Sequence, residues 1–158
     1  MLEEFSLDTF SESEKEALNC AWHRLDPWPD AIEGLERMKQ RYMIGTLSNG
    51  NIALIANMAK YARLPWDVIL GAEIARAYKP QPQAYLGSAA ALSLKPQQCM
   101  LVAAHNSDLK AALDCDFRTA FVERPFEHGP GQSTDLVASG HYDFVARDFV
   151  DLATQLKC

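Results

Sequence analysis

Long hydrophobic runs are missing from this sequence, and so are paired cysteines and clustered basic residues. No segment reaches the roughly 18 consecutive apolar residues that a membrane span needs, and the opening "MLEEFSLDTF" is too acidic for a signal peptide. The four cysteines, Cys20, Cys99, Cys115 and Cys158, are widely scattered with no CxxC or Cys/His ligand spacing. They read as free thiols rather than disulfides or a zinc site, so neither metal nor cofactor is expected. A net charge of −6, a pI near 5.1 and the lack of any Lys/Arg cluster argue against nucleic acid as a partner. No repeats and no low-complexity linker occur. A cytoplasmic globular protein without membrane contact is the expectation for these 158 residues, of which 48% are hydrophobic and 23% charged.

What is present is an alternation of strand and helix signals. Residues 11–24 start with a capping box and carry Leu18, Ala21, Trp22 and Leu25 on one face, as an amphipathic helix does. "LDPWPD" breaks that helix into a stiff hinge, because two prolines flank Trp28. The pattern then predicts helices over 31–41, 52–62, 83–92, 108–115 and 149–156, and strands over 42–47, 67–73, 99–104, 119–124 and 144–146. Pro and Gly make 124–135 a loop. Such alternation means an α/β fold with a parallel sheet, whose site lies beyond the carboxyl ends of the strands.

Three predicted strand ends carry polar groups. "YMIGTLSNGN" stops in Ser48 and Asn49, "YKPQPQAY" places Lys79 before Pro80, and "VAAHNSDLKAA" brings His105 and Asp108. Each has a bland use taken alone: Ser48 and Asn49 as helix caps, Lys79 as a solvated charge, His105 as a satisfied loop histidine, Asp108 as a cap. Their order at successive strand ends is more specific than any one of them. Ser48 is no serine-hydrolase nucleophile, since no GxSxG elbow surrounds it.

The motifs "LSNGN", "YKPQPQAY" and "VAAHNSDLKAA" resemble the second, third and fourth motifs of the haloacid dehalogenase superfamily. "LDPWPD", "LPWDVILGAE" and "RTAFVERP" resemble its type II 2-haloacid dehalogenase branch. The resemblance implies a Rossmann-like core and a hydrolase of carbon–halogen bonds acting on small 2-haloalkanoic acids, in which an aspartate carboxylate displaces halide and water hydrolyses the resulting ester. It implies that Lys79 keeps that aspartate ionised, that Asp108 orients Lys79 and the water, that Ser48 binds the substrate carboxylate, and that Asn49 positions substrate or halide. Tyr85 is a candidate for lining the pocket, with packing as its alternative use. His105 stands where many type II enzymes have asparagine, and service as a base or mere filling of space both stay open.

Two alternatives accompany that reading: a phosphatase-like hydrolase of the same superfamily, and a non-catalytic binding module that keeps the crevice. Phosphatases of the superfamily use a first aspartate in the fourth motif to bind magnesium, and the equivalent position here, four before Asp108, is Ala104. A methyl group cannot ligate a hard cation.

The first motif, an apolar strand ending in Asp-x-x-x-Thr, has no match upstream of Ser48. Asp8 is followed by Glu12 where the threonine belongs, and Asp26 and Asp30 lie in the proline hinge. On the resemblance, residues 1–26 are the end of the family's helical cap with its hinge, 27–158 are the core, and most of the cap and the central nucleophile strand are absent. The chain is then the carboxyl-terminal part of such an enzyme, inactive alone. A vacancy one strand wide is expected between 42–48 and 99–104, which either close on each other or accept a strand from another chain, making a homo-oligomer conceivable.

Overall fold

The computed structural model describes residues 9–158. Asp8, weighed above as a nucleophile, lies outside them. Helix α1 (Glu12–Asn19) opens with the expected capping box, in which Ser11 accepts from the Glu14 backbone and Glu14 reaches back to the Ser11 N–H. It then tightens into a 3₁₀ turn (Cys20–Arg24) instead of staying α-helical to residue 24, a frequent helix ending. After the hinge come α2 (Ala31–Lys39), α3 (Ile52–Ala62), the single turn α4 (Ala72–Ala75) and α5 (Pro82–Ala91). Strand β1 (Met100–Ala103), α6 (Asn106–Leu113), β2 (Arg118–Val122), β3 (Phe144–Ala146) and α7 (Phe149–Gln155) complete the order.

Strands β1, β2 and β3 pair in that order, all parallel, with Met100 opposite Arg118 and Ala120 opposite Phe144. Side chains alternate across β2 as a two-sided sheet requires. Phe121 joins Tyr85, Leu109, Ala112 and Phe117 beneath α5 and α6, while Ala120 and Val122 join Leu35, Met38, Ile44 and Leu152 beneath α2 and α7. Helices therefore cover both faces of a parallel sheet, the expected α/β layering. Helix α2 meets α7 at Gly34, where an added Cβ would fall 2.4 Å from that of Phe149. Among the described residues no helix is long and apolar enough to cross a membrane.

Two expected strands need correction. Residues 42–47 and 67–73 share one parallel bridge, Gly45 with Val68, and form no ladder. Tyr42 and Met43 are exposed rather than buried, and a strand also needs main-chain partners, two of whose places are taken here by side chains. The Ile44 N–H donates to Asp67 Oδ2 at 2.9 Å, and the Leu70 N–H donates to Thr46 Oγ1 at 3.0 Å. Gly71 then turns the chain into α4 instead of extending it, and it passes so close to the neighbouring loop that a Cβ would sit 2.8 Å from the Ile52 nitrogen. Nor do residues 42–48 close onto β1: within the described residues β1 is paired along its β2 side only.

Candidate active site

The site forms where the loops after residue 47, after α4 and after β1 converge. Asp108 lies in the first turn of α6, where a carboxylate suits the helix dipole. Helix α6 begins at Asn106, two residues earlier than the sequence pattern suggests, so Asp108 is not a cap and its side chain is turned to the crevice. Its Oδ2 accepts from Lys79 Nζ at 2.5 Å and its Oδ1 accepts from Tyr85 Oη at 2.6 Å. The pair is well enclosed, with side-chain exposures of 22% for Lys79 and 12% for Asp108. Tyr85 is fully buried on α5. Burial, and after it the hydrogen bond and charge of Asp108, push its phenol well above the ordinary tyrosine range. It stays a proton donor to the carboxylate at any working pH, so Tyr85 both packs and holds Asp108.

Asn49 has its amide committed. Its Oδ1 accepts from the Lys79 N–H at 2.7 Å and its Nδ2 donates to the Lys79 carbonyl at 3.2 Å. This two-point clamp fixes the main chain of Lys79, which precedes a cis peptide bond to Pro80. Ser48 Oγ accepts from the Gly50 N–H at 3.0 Å, which leaves the hydroxyl proton for another acceptor. Neither residue caps α3. Asn51 does, from Oδ1 to the Leu54 N–H at 2.8 Å, helped by Glu73 on the Ile52 N–H.

His105 points elsewhere. It leads into α6, but its Nε2 lies 3.0 Å from Glu127 Oε2 and its ring stacks on His128 at 6.3 Å between centroids. Of the six residues named from the sequence, Lys79, Asp108, Tyr85 and Asn49 are thus joined directly. Ser48 adjoins Asn49 in the chain, and His105 faces the loop 124–135.

Several contributors escaped the sequence reading. Asn106 ties the loop beyond residue 134 to the start of α6: its Nδ2 donates to Asp135 Oδ1 at 2.8 Å, and its Oδ1 accepts from the Ser139 N–H and Tyr142 Oη at 2.8 and 2.9 Å. Asp30 is a support of the fold. Its Oδ2 accepts from Arg124 Nη2 at 2.7 Å and from the Phe149 N–H at 2.8 Å, and Arg124 lies between the rings of Trp28 and Phe149, 5.1 and 5.0 Å from their centroids. An Asn–Asp pair 29 positions apart leaves no signal in the sequence, and a salt bridge across 94 positions leaves none either.

A parallel sheet covered by helices on both faces, with a lysine–aspartate–tyrosine network and a clamping asparagine beyond its carboxyl edge, defines the class of Rossmann-like α/β proteins with a crevice site. The family model for haloacid dehalogenase-like hydrolases matches residues 1–116, and the chain belongs to that family. It is 32% identical over 113 residues to (S)-2-haloacid dehalogenase 4A of Burkholderia cepacia, an alignment covering 70% of this chain and 49% of that protein. Over 99% of its length it superposes on a structure of an L-2-haloacid dehalogenase with a TM-score of 0.96 at 47% identity, covering 66% of that chain. A defluorinating L-2-haloacid dehalogenase gives the same TM-score at 50% identity, with 65% of that chain covered. The chain therefore spans about half the length of the curated relatives it matches.

Proposed function

We propose that these residues are the core portion of a 2-haloacid dehalogenase, hydrolysing the carbon–halogen bond of small 2-haloalkanoic acids through an aspartyl ester. The observation that carries this reading is the Lys79–Asp108–Tyr85 network with Asn49 clamped on Lys79. It is an ammonium tied to Asp108 in the crevice, which supports a role in keeping an incoming carboxylate ionised. At about 4 Å and an effective dielectric near 20 that attraction is worth roughly 4 kcal/mol, enough to keep a nucleophilic aspartate charged. Asp108 orients Lys79 and the hydrolytic water, Tyr85 and Asn49 position that pair, and Ser48 offers its free hydroxyl proton to the substrate carboxylate. His105, facing the loop, serves the wall of the crevice rather than the chemistry.

The nucleophile is not among these residues, since no Asp-x-x-x-Thr precedes Ser48 and Asp30 is spent on Arg124 and Phe149. The exposed apolar residues Leu18, Trp22 and Leu25 support reading the stretch up to residue 26 as part of a cap that further helices cover. Four free thiols fit a reducing, cytoplasmic setting. Ala104, in place of a magnesium-binding carboxylate, favours halide displacement over phosphoryl transfer.

The test is halide release from a 2-haloacid by these 158 residues, alone and joined to a family segment carrying Asp-x-x-x-Thr. Alone they should release none. Joined, they should turn over in the presence of chelator, with Lys79→Ala losing kcat and Ser48→Ala chiefly raising KM. Magnesium-dependent phosphate release from a generic ester, without halide release, would overturn the assignment.

A further inference from the structure

Where β1 meets the loop 124–135 lies a cluster that the proposed dehalogenation does not use. His105 follows β1, while Glu127 and His128 are neighbours in the loop 124–135, and one ligand atom from each lies within 4.8 Å of the other two. His105 Nε2 and Glu127 Oε2 are 3.0 Å apart. Two ligands bound to one zinc ion at 2.0–2.1 Å in a tetrahedron stand roughly 3.3 Å apart, so the His105–Glu127 pair, now hydrogen-bonded, would open slightly and His128 would close by at most about 1.5 Å from the 4.8 Å bound. The two imidazole rings are nearly parallel, at 10°.

The loop holds these groups up by its own hydrogen bonds. The His128 N–H donates to Gln132 Oε1 at 3.1 Å, the Gly129 N–H donates to the Phe126 carbonyl at 3.0 Å, and Gly129 takes a φ of +81° that disfavours any side chain. The far end of the loop is tied down by Asp135, whose Oδ1 accepts from the Asn106 N–H at 2.9 Å and from Asn106 Nδ2 at 2.8 Å.

We propose that His105, Glu127 and His128 form a binding site for a borderline first-row divalent cation, zinc in the first instance, that fastens the loop 124–135 to the carboxyl end of β1. Two imidazoles and a carboxylate suit zinc, nickel, cobalt and copper, whereas magnesium and calcium want oxygen ligands throughout. None of its three residues bonds to Lys79 or Asp108, and its role is to brace one wall of the crevice. It is not a source of the attacking water in the proposed reaction.

Calorimetric titration of the 158-residue chain with zinc chloride, with magnesium chloride as the control, tests this. One equivalent of zinc should bind, and magnesium should not. His128→Ala and Glu127→Gln should each weaken zinc binding about 10–100-fold, at least the loss seen when outer partners of metal ligands are removed. Both positions lie on an exposed loop, and circular dichroism verifies that the variants fold. Cys20→Ser and Cys158→Ser should leave the affinity unchanged, and cobalt in place of zinc should give a visible spectrum without thiolate charge-transfer bands. Equal zinc affinity in wild type and His128→Ala, loss of binding in the cysteine variants, or a Kd weaker than about 1 mM would overturn the proposal.

Discussion

Tyr85→Phe removes one oxygen atom from the centre of the site and little else. The ring keeps its edge-to-face contact with Phe117, at 6.1 Å and 73°, so no cavity larger than a hydroxyl opens. What changes is Asp108: its Oδ1 loses the donor at 2.6 Å while its side chain remains only 12% exposed. A hydrogen bond to a charged group contributes about 1.5–3 kcal/mol, and an enclosed acceptor left without a partner bears the desolvation cost. Freedom from burying the phenol hydroxyl returns part of that, and a net loss of about 2 kcal/mol is expected. With a urea m-value of about 2 kcal/mol/M for a chain of this size, the unfolding midpoint should fall by roughly 1 M. Repeating the substitution in an Asp108→Asn background closes a double-mutant cycle, and the two changes should fall short of additivity by at least 0.5 kcal/mol, the order expected of residues in one network. A Tyr85→Phe midpoint indistinguishable from wild type would show that Tyr85 is a packing residue and that the network is not energetically joined.

Other expectations concern the frame around the site. In Asp30, burial acts to raise the carboxyl pKa, but hydrogen bonds from the Phe149 N–H and Arg124 outweigh it and the net shift is downward from 3.8. A lowered folded-state pKa stabilises above the unfolded value and loses that contribution as pH falls through the folded one. Asp30→Asn should therefore be less stable than wild type at pH 7, with the difference in urea midpoint shrinking as pH drops below about 4. Gly34→Ala should push α2 off Phe149, costing about 1–3 kcal/mol as overpacking does and lowering Tm by several degrees in calorimetry. Asn49→Ala should release the Lys79 main chain, so in the nucleophile-bearing form kcat should fall more than KM rises, and an equal change in both would place Asn49 on the substrate instead.

The alternation of helix and strand was legible in its order, and so was the meeting of Lys79 with Asp108, though Lys79 arrives from the loop after α4 rather than from a strand end. Helix α3 was placed at both ends by its apolar spacing, although its cap was sought in Ser48 and Asn49 and is Asn51. The stretch 67–73 was misread for a physical reason: its apolar residues do become half-buried or buried, yet whether burial ends as a strand depends on partners supplied from elsewhere. Tyr85 was left between lining and packing because a hydroxyl's partner cannot be read from helical spacing, and the structure gives it both uses. Asn49 was assigned to substrate or halide, whereas its amide holds a main chain 30 positions away. The approach of Glu127 and His128 to His105 depends on a fold of the loop that Pro and Gly content announces without specifying.

The Asn49 clamp bears on how this crevice could be transplanted or redesigned. Two loops far apart in the sequence share one side-chain amide, with each partner atom of Lys79 spoken for, so they form a single mechanical unit. A graft that moves "YKPQPQAY" to a related scaffold without "LSNGN" would carry the lysine but lose its coordinates. A library that randomises residue 49 to alter substrate choice would mostly be sampling lysine positions, and its hits would report on register before they reported on recognition.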